Sequence, residues 1–136
     1  MESRVDKALA NHAKGYNCSQ SVACAYADLV GMDERTMFKL MEGFGLGMGG
    51  TYGTCGALTG AMAIVGMRLS GGNLDGPLTK AETYKVAERI IDEFRQMNHS
   101  CVCRDLKGIE TDSPFKSCDE YIADASAILE RTIFAT

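Results

Sequence analysis

The sequence predicts an all-α fold, a compact bundle of about five to six helices with a glycine-rich loop and one irregular cysteine-containing segment. Three observations predict it. Apolar residues recur at helical spacing, as in Val22, Ala23, Tyr26, Ala27 and Val30 and again in Ile90, Ile91 and Phe94. Two pairs with the spacing of a capping box, Thr79 with Glu82 and Ser117 with Glu120, stand ahead of apolar stretches. No stretch alternates apolar and polar residues long enough for a strand, and no Asn-Gly or Asp-Gly turn joins two β-branched runs.

In chain order, Val5, Leu9 and His12 or Ala13 place a first helix over residues 3–14, with Gly15 as its stop. Asn17 or Ser19 caps a second that runs to Leu29. Asp33 caps a third that runs to Phe44, with Met37, Leu40, Met41 and Phe44 as its buried stripe. The run Gly43–Gly60, GFGLGMGGTYGTCGALTG, follows; eight of its eighteen residues are glycine. A fourth helix, Gly56 to Leu69, grows out of it. Gly56 and Gly60 are spaced i, i+4, so one face is nearly bare and lets another backbone approach. Residues 70–77 form a turn-rich linker. The Thr79 box opens a fifth helix to Met97, with Tyr84, Ala87, Ile90, Ile91 and Phe94 inward. Residues 98–116 are irregular apart from a helical turn at Arg104–Lys107. The Ser117 box opens the last helix, Cys118 to Phe134, with Ile122, Ala125, Ile128 and Leu129 buried.

At 136 residues the chain is read as one domain, residues 1–136. A net charge of −4 and a pI near 5.1 argue against a nucleic-acid partner, which needs a basic face. The N-terminal MESRVDKALANHAKG lacks the apolar run of a secretory signal. The most apolar segment, Ala57–Leu69, is shorter than the about 20 residues that span a bilayer. The expectation is a cytoplasmic protein with no direct membrane span. Its six cysteines then read as metal ligands, redox thiols or small buried hydrophobes rather than a disulfide scaffold.

Cys18, Cys55, Cys103 and Cys118 each fall at or beside an inferred helix start. Free N–H groups and the helix dipole there favour thiolate, the form that binds metal or attacks a disulfide. Cys24, mid-helix, reads as a small buried hydrophobe. Cys101 is spaced to share a metal with Cys103 or simply to fill space. His99 is a candidate outer-shell donor or general base, against the plainer reading of a solvent-exposed loop histidine, and His12 sits on a half-exposed helix face. Gly50, Gly53, Gly56 and Gly60 are the loop glycines expected near the site. Neither the paired C-x2-C of zinc sites nor a ferredoxin run is present. Gly45–Gly50, GLGMGG, matches G-x-G-x-x-G, but it follows a helix and no parallel sheet surrounds it, so nucleotide binding is not expected. Met37, Met41, Met48, Met62 and Met67 read as core filling, and Asp92, Glu93, Asp119 and Glu120 as solvated helix surface.

Four stretches together resemble a known family. They are Asn17-Cys18-Ser19-Gln20-Ser21-Val22, then Thr54-Cys55-Gly56-Ala57-Leu58-Thr59-Gly60-Ala61, then Ser100 through Cys103-Arg104-Asp105-Leu106, and Cys118 at the start of the final helix. The sequence is similar to redox-active proteins with the cysteine pattern C-GCAxxG-C-C, along about its whole length, and its CGAxxG element is complete. The resemblance carries the family's four cysteines onto Cys18, Cys55, Cys103 and Cys118; Cys24 and Cys101 have no counterpart. It implies four-thiolate ligation of an iron–sulfur cluster, of the [2Fe–2S] type, and electron transfer. It also implies an unidentified redox partner, with a membrane-transport association suggested by the family's gene neighbours; a homodimer is compatible with it. Two other readings of the cysteines stay open: a thiol–disulfide oxidoreductase with paired cysteines, and an interaction module held by structural zinc or by no cofactor at all.

Overall fold

The computed structural model describes residues 1–135. Among them the chain forms seven α-helices and no strand: α1 (Val5–Ala13), α2 (Cys18–Tyr26), α3 (Glu34–Met41), α4 (Gly56–Leu69), α5 (Lys80–Asn98), α6 (Cys103–Lys107) and α7 (Cys118–Leu129). The all-α expectation holds. Helices two and three tighten at their ends into 3₁₀ turns at Ala27–Val30 and Glu42–Phe44, and α7 widens into a π-helical turn at Glu130–Phe134. An isolated antiparallel bridge joins Thr54 to Val102.

Local chemistry explains most boundaries. Asn17 opens α2 with a reciprocal box: its side chain accepts from the Gln20 amide at 2.9 Å, and the Gln20 side chain accepts from the Asn17 amide at 3.0 Å. Ser117 and Glu120 do the same for α7. Asp33 accepts from the Thr36 amide and starts α3. The box expected at Thr79 does not form. The linker folds back over the start of α5, the Thr79 hydroxyl accepts from the Gly71 amide at 3.2 Å, and Glu82 turns to Lys85. Gly31 and Gly108, both at positive φ, end the Ala27–Val30 turn and α6.

α2 is the central helix. Every residue from Ser19 to Tyr26 is buried, with α1, α3, α4 and α7 against it, while α5 lies on α4 and α7. Its polar residues are satisfied inside: the Ser19 hydroxyl donates to Met41 O at 2.7 Å, and Gln20 Nε2 donates to Phe38 O at 3.0 Å. The bare face of α4 makes the expected close approach. A β-carbon on Gly60 would lie 2.5 Å from the Ser19 carbonyl oxygen, and one on Gly56 would lie 3.0 Å from Cys18 Cβ.

Several apolar residues expected inside are not. Met37 and Met41 are buried, but Leu40 and Phe44 are exposed because the chain leaves α3 for the glycine loop before that side is covered. Tyr84 is 65% exposed, since only the second half of α5, around Ile90 and Phe94, reaches the core. Met48 and Met67 are also exposed rather than core-filling.

Candidate functional site

The four cysteines occupy equivalent positions on four helices. Cys18, Cys103 and Cys118 are the first residues of α2, α6 and α7, and Cys55 is the residue on which α4 begins. All four line one cavity of about 190 Å³, together with His12, Asn17, Leu46, Lys107 and Tyr121. Segments far apart in the sequence are brought to one place by the α2–α4 contact and by α7, which lies against both.

The glycine loop supplies the remaining wall through tight backbone turns. Leu46, Gly47, Met48, Gly49 and Thr51 all have positive φ. Gly47 is the critical position: at φ +61 a β-carbon there would lie 2.5 Å from Cys103 Cβ. The Gly53 carbonyl accepts from the Cys103 amide at 2.9 Å, and the Cys101 carbonyl accepts from the Cys55 amide at 2.8 Å. Together these bonds clip the loop, the 99–103 segment and the start of α4 to one another. Three of the loop amides, those of Gly49, Thr51 and Gly53, bond to carbonyls within the loop and so are not free to meet sulfur. The Ala57 and Leu58 amides, in the first turn of α4, favour thiolate at Cys55, although the Cys55 side chain makes no capping hydrogen bond.

A helix start does not by itself make these thiols acidic. The Cys18 thiol is pushed far up, first by donating its hydrogen to Cys118 and then by burial. Burial raises Cys55 to about 11 against the pull of the Ala57 and Leu58 amides, and burial raises Cys103 as well. Cys118 alone is lowered, to about 6. The hydrogen bond from Cys18 is the largest cause, and the charges of Lys107 and His12 add to it. Lys107 Nζ donates to Cys118 Sγ at 3.8 Å. The downward shift therefore falls on Cys118, the sulfur beside Lys107, and the upward shifts fall on its neighbours.

The other expected site residues lie elsewhere. Cys101 is half-buried and outside the cavity wall, where it contributes its carbonyl rather than its sulfur. His99 is exposed, closes α5 at φ +70, and meets the edge of Phe115 with ring centroids 4.8 Å apart. It lines a shallow groove with Asp92, Arg95 and Gln96, not the cysteine cavity. Gly53, Gly56 and Gly60 are pressed against neighbours, but Gly50 has open space around it. Cys24 is buried at 2% exposure, as a small core residue should be. His12, Asn17, Lys107 and Gly47 were not legible as site residues. Lys107 carried the clearest missed signal, one helical turn after Cys103. Asp119, read as plain surface, holds His12 Nδ1 at 2.6 Å.

Four thiols on one cavity are a donor set for soft metals and for two-electron thiol chemistry. Among the described residues, no three His, Cys, Asp or Glu side chains are arranged around a single point as ligands of one ion. The side-chain contact made by a cavity sulfur is Lys107 Nζ to Cys118 Sγ. Among those residues, too, no helix is long and apolar enough to cross a membrane.

Comparison with curated proteins and with solved structures gives no match. The family model described as "Putative redox-active protein (C_GCAxxG_C_C)" matches residues 16–132, a span that contains all four cavity cysteines. The chain belongs to that family of redox-active proteins.

Proposed function

We propose that Cys18, Cys55, Cys103 and Cys118 form a single redox centre that ligates an iron–sulfur cluster, of the [2Fe–2S] type, for electron transfer. The observation that carries this reading is the presence of all four thiols on one cavity of about 190 Å³. A two-iron cluster takes two thiolates per iron, so it asks for pairs rather than for four sulfurs around one point. Electrostatics supports the same reading. Charge on one sulfur raises the thiolate cost of its neighbours, Cys118 acting on Cys18, Cys55 and Cys103, and Cys103 on Cys55. A cationic core between them would relieve that repulsion. When bound, the cluster supplies a one-electron couple. The chain supplies the sulfurs and a wall that includes the buried Leu106 and Tyr121.

Protein purified without air after iron supplementation tests this. Iron and acid-labile sulfide each near two per chain, a visible chromophore lost on Cys55→Ala, and a reversible one-electron signal support it. Colourless protein with neither iron nor sulfide overturns it, and zinc at one per chain with no redox response points to a structural metal instead.

A second reading has its own observation, the Lys107 Nζ to Cys118 Sγ contact at 3.8 Å with Cys18 on the same cavity wall. In thiol–disulfide exchange, Cys118 would attack a partner disulfide, forming a mixed disulfide and releasing one partner thiolate. Cys18, after losing its proton to solvent, would attack Cys118 Sγ and release the second thiolate. Two electrons pass to the partner and a Cys18–Cys118 disulfide remains. A free-thiol count that falls by two on mild oxidation of metal-free protein and recovers with reductant supports this reading; an unchanged count removes it.

A further inference from the structure

Lys107 is one turn after Cys103, so the short helix α6 delivers a sulfur and a cation to the same cavity wall. Its side chain is half-buried, and Cys118 Sγ at 3.8 Å is its hydrogen-bond partner. The other basic group on the wall, His12, faces Asp119 at 2.6 Å, which offsets any charge it carries. Among the described residues no carboxylate lies within ion-pair distance of Lys107. A half-buried ammonium without an anionic partner is costly, and negative charge on the cavity sulfurs is what remains to balance it.

We propose that Lys107 sets the reduction potential of this centre, as a positioning residue whose fixed charge acts through Cys118 and favours the reduced state. The inference rests on the reading of the cavity as a redox centre, but not on which couple operates there. With a partner dithiol as reductant, the Cys18–Cys118 disulfide takes two electrons and one proton. The S–S bond breaks and the two sulfurs together take up one proton, so one negative charge appears on the pair, whose Cys118 Sγ lies 3.8 Å from Lys107 Nζ. A metal centre held by these sulfurs also gains negative charge when a one-electron donor reduces it without proton uptake. In both cases the ammonium stabilises the product of reduction, and its loss makes the potential more negative.

The test compares midpoint potentials of wild type, Lys107→Met, Lys107→Gln and Lys107→Arg. Metal-free protein is poised in dithiothreitol buffers, and anaerobically purified protein is titrated with dithionite. Removing the charge is expected to shift the equilibrium about tenfold toward the oxidised form. That is about 30 mV more negative for the two-electron couple, or about 59 mV for a one-electron couple. Lys107→Arg is expected to restore most of the shift, which a merely structural role would not produce. Lys107→Gln serves the same comparison if Lys107→Met does not fold. Unchanged potentials in folded neutral variants overturn the inference while leaving the redox centre intact. A wild type with no reversible couple in either preparation overturns both.

Discussion

The Cα of Gly60 on α4 lies so close to the backbone carbonyl of Ser19 on α2 that a methyl group there would stand 2.5 Å from the Ser19 oxygen. This contact brings Cys55 and Cys18, each at the start of its own helix, to the same cavity. A carbonyl in a buried helix has no freedom to move aside. Gly60→Ala is therefore expected to lower stability by about 1–3 kcal/mol, more than the helix-propensity gain of about 0.5–1 kcal/mol returns. Gly66, on the same helix, has nothing within 4 Å of its would-be β-carbon. Gly66→Ala is expected to stabilise by about 0.5–1 kcal/mol. Urea unfolding of the two variants checks the pair, and equal effects would contradict the packing argument.

Gly47 holds the loop against Cys103 in a left-handed conformation. Gly47→Ala meets two penalties, about 1–2 kcal/mol for the backbone and the clash with Cys103 Cβ. Gly49, at φ +89 with open space around it, meets only the first. The expected outcome is that Gly47→Ala speeds alkylation of Cys103 and lowers metal retention, whereas Gly49→Ala lowers stability without changing either. Peptide mapping after iodoacetamide labelling reads the difference.

Cys118 is the thiol expected to react first. With its pKa at about 6, it is mostly thiolate at pH 7, while Cys55, pushed up to about 11, is not. In reduced, metal-free protein, brief iodoacetamide treatment at pH 7 should label Cys118 well ahead of Cys18, Cys55 and Cys103. Its labelling rate should rise with pH through a midpoint near 6. Labelling of Cys55 ahead of Cys118 would refute the assignment.

The same shifts fix the pH dependence of stability. Cys118 has a folded pKa below its ordinary 9.0, so its contribution is fully present above pH 9 and is lost as pH falls through about 6. Cys55 is raised, so its contribution is fully present below pH 9 and is lost as pH rises through about 11; Cys18 and Cys103 shift in the same direction. For reduced, metal-free protein these thiols place the stability maximum near pH 9. Cys118→Ser should flatten the acid limb of the curve and weaken the Cys18 part of the alkaline limb, which Cys118 itself raises, while the Cys55 part, set first by burial, stays in place. Denaturant midpoints measured from pH 5 to 11 check both limbs.

Much of this was local and therefore legible. Asn17, Asp33 and Ser117 cap their helices with neighbours three residues on, and α4 begins and ends where its glycine and apolar pattern says. Each cavity cysteine could be placed at a helix start because caps and periodicity are near-neighbour properties. Thr79 and Tyr84 misled for the opposite reason. The Thr79 hydroxyl went to the Gly71 amide, and the side of α5 that carries Tyr84 was left uncovered, both decided by segments outside any local window.

Spacing along the chain thus determined the helices and the placement of sulfur at their first turns. Only the folded chain decided that those first turns share one cavity, that Cys118 Sγ lies by Lys107, and that Lys107 and His12 line the cavity while His99 and the Cys101 sulfur do not. The physical reason is range. Capping and helical periodicity act over a few residues, whereas a sulfur's charge is set by burial and by groups that arrive from distant parts of the chain.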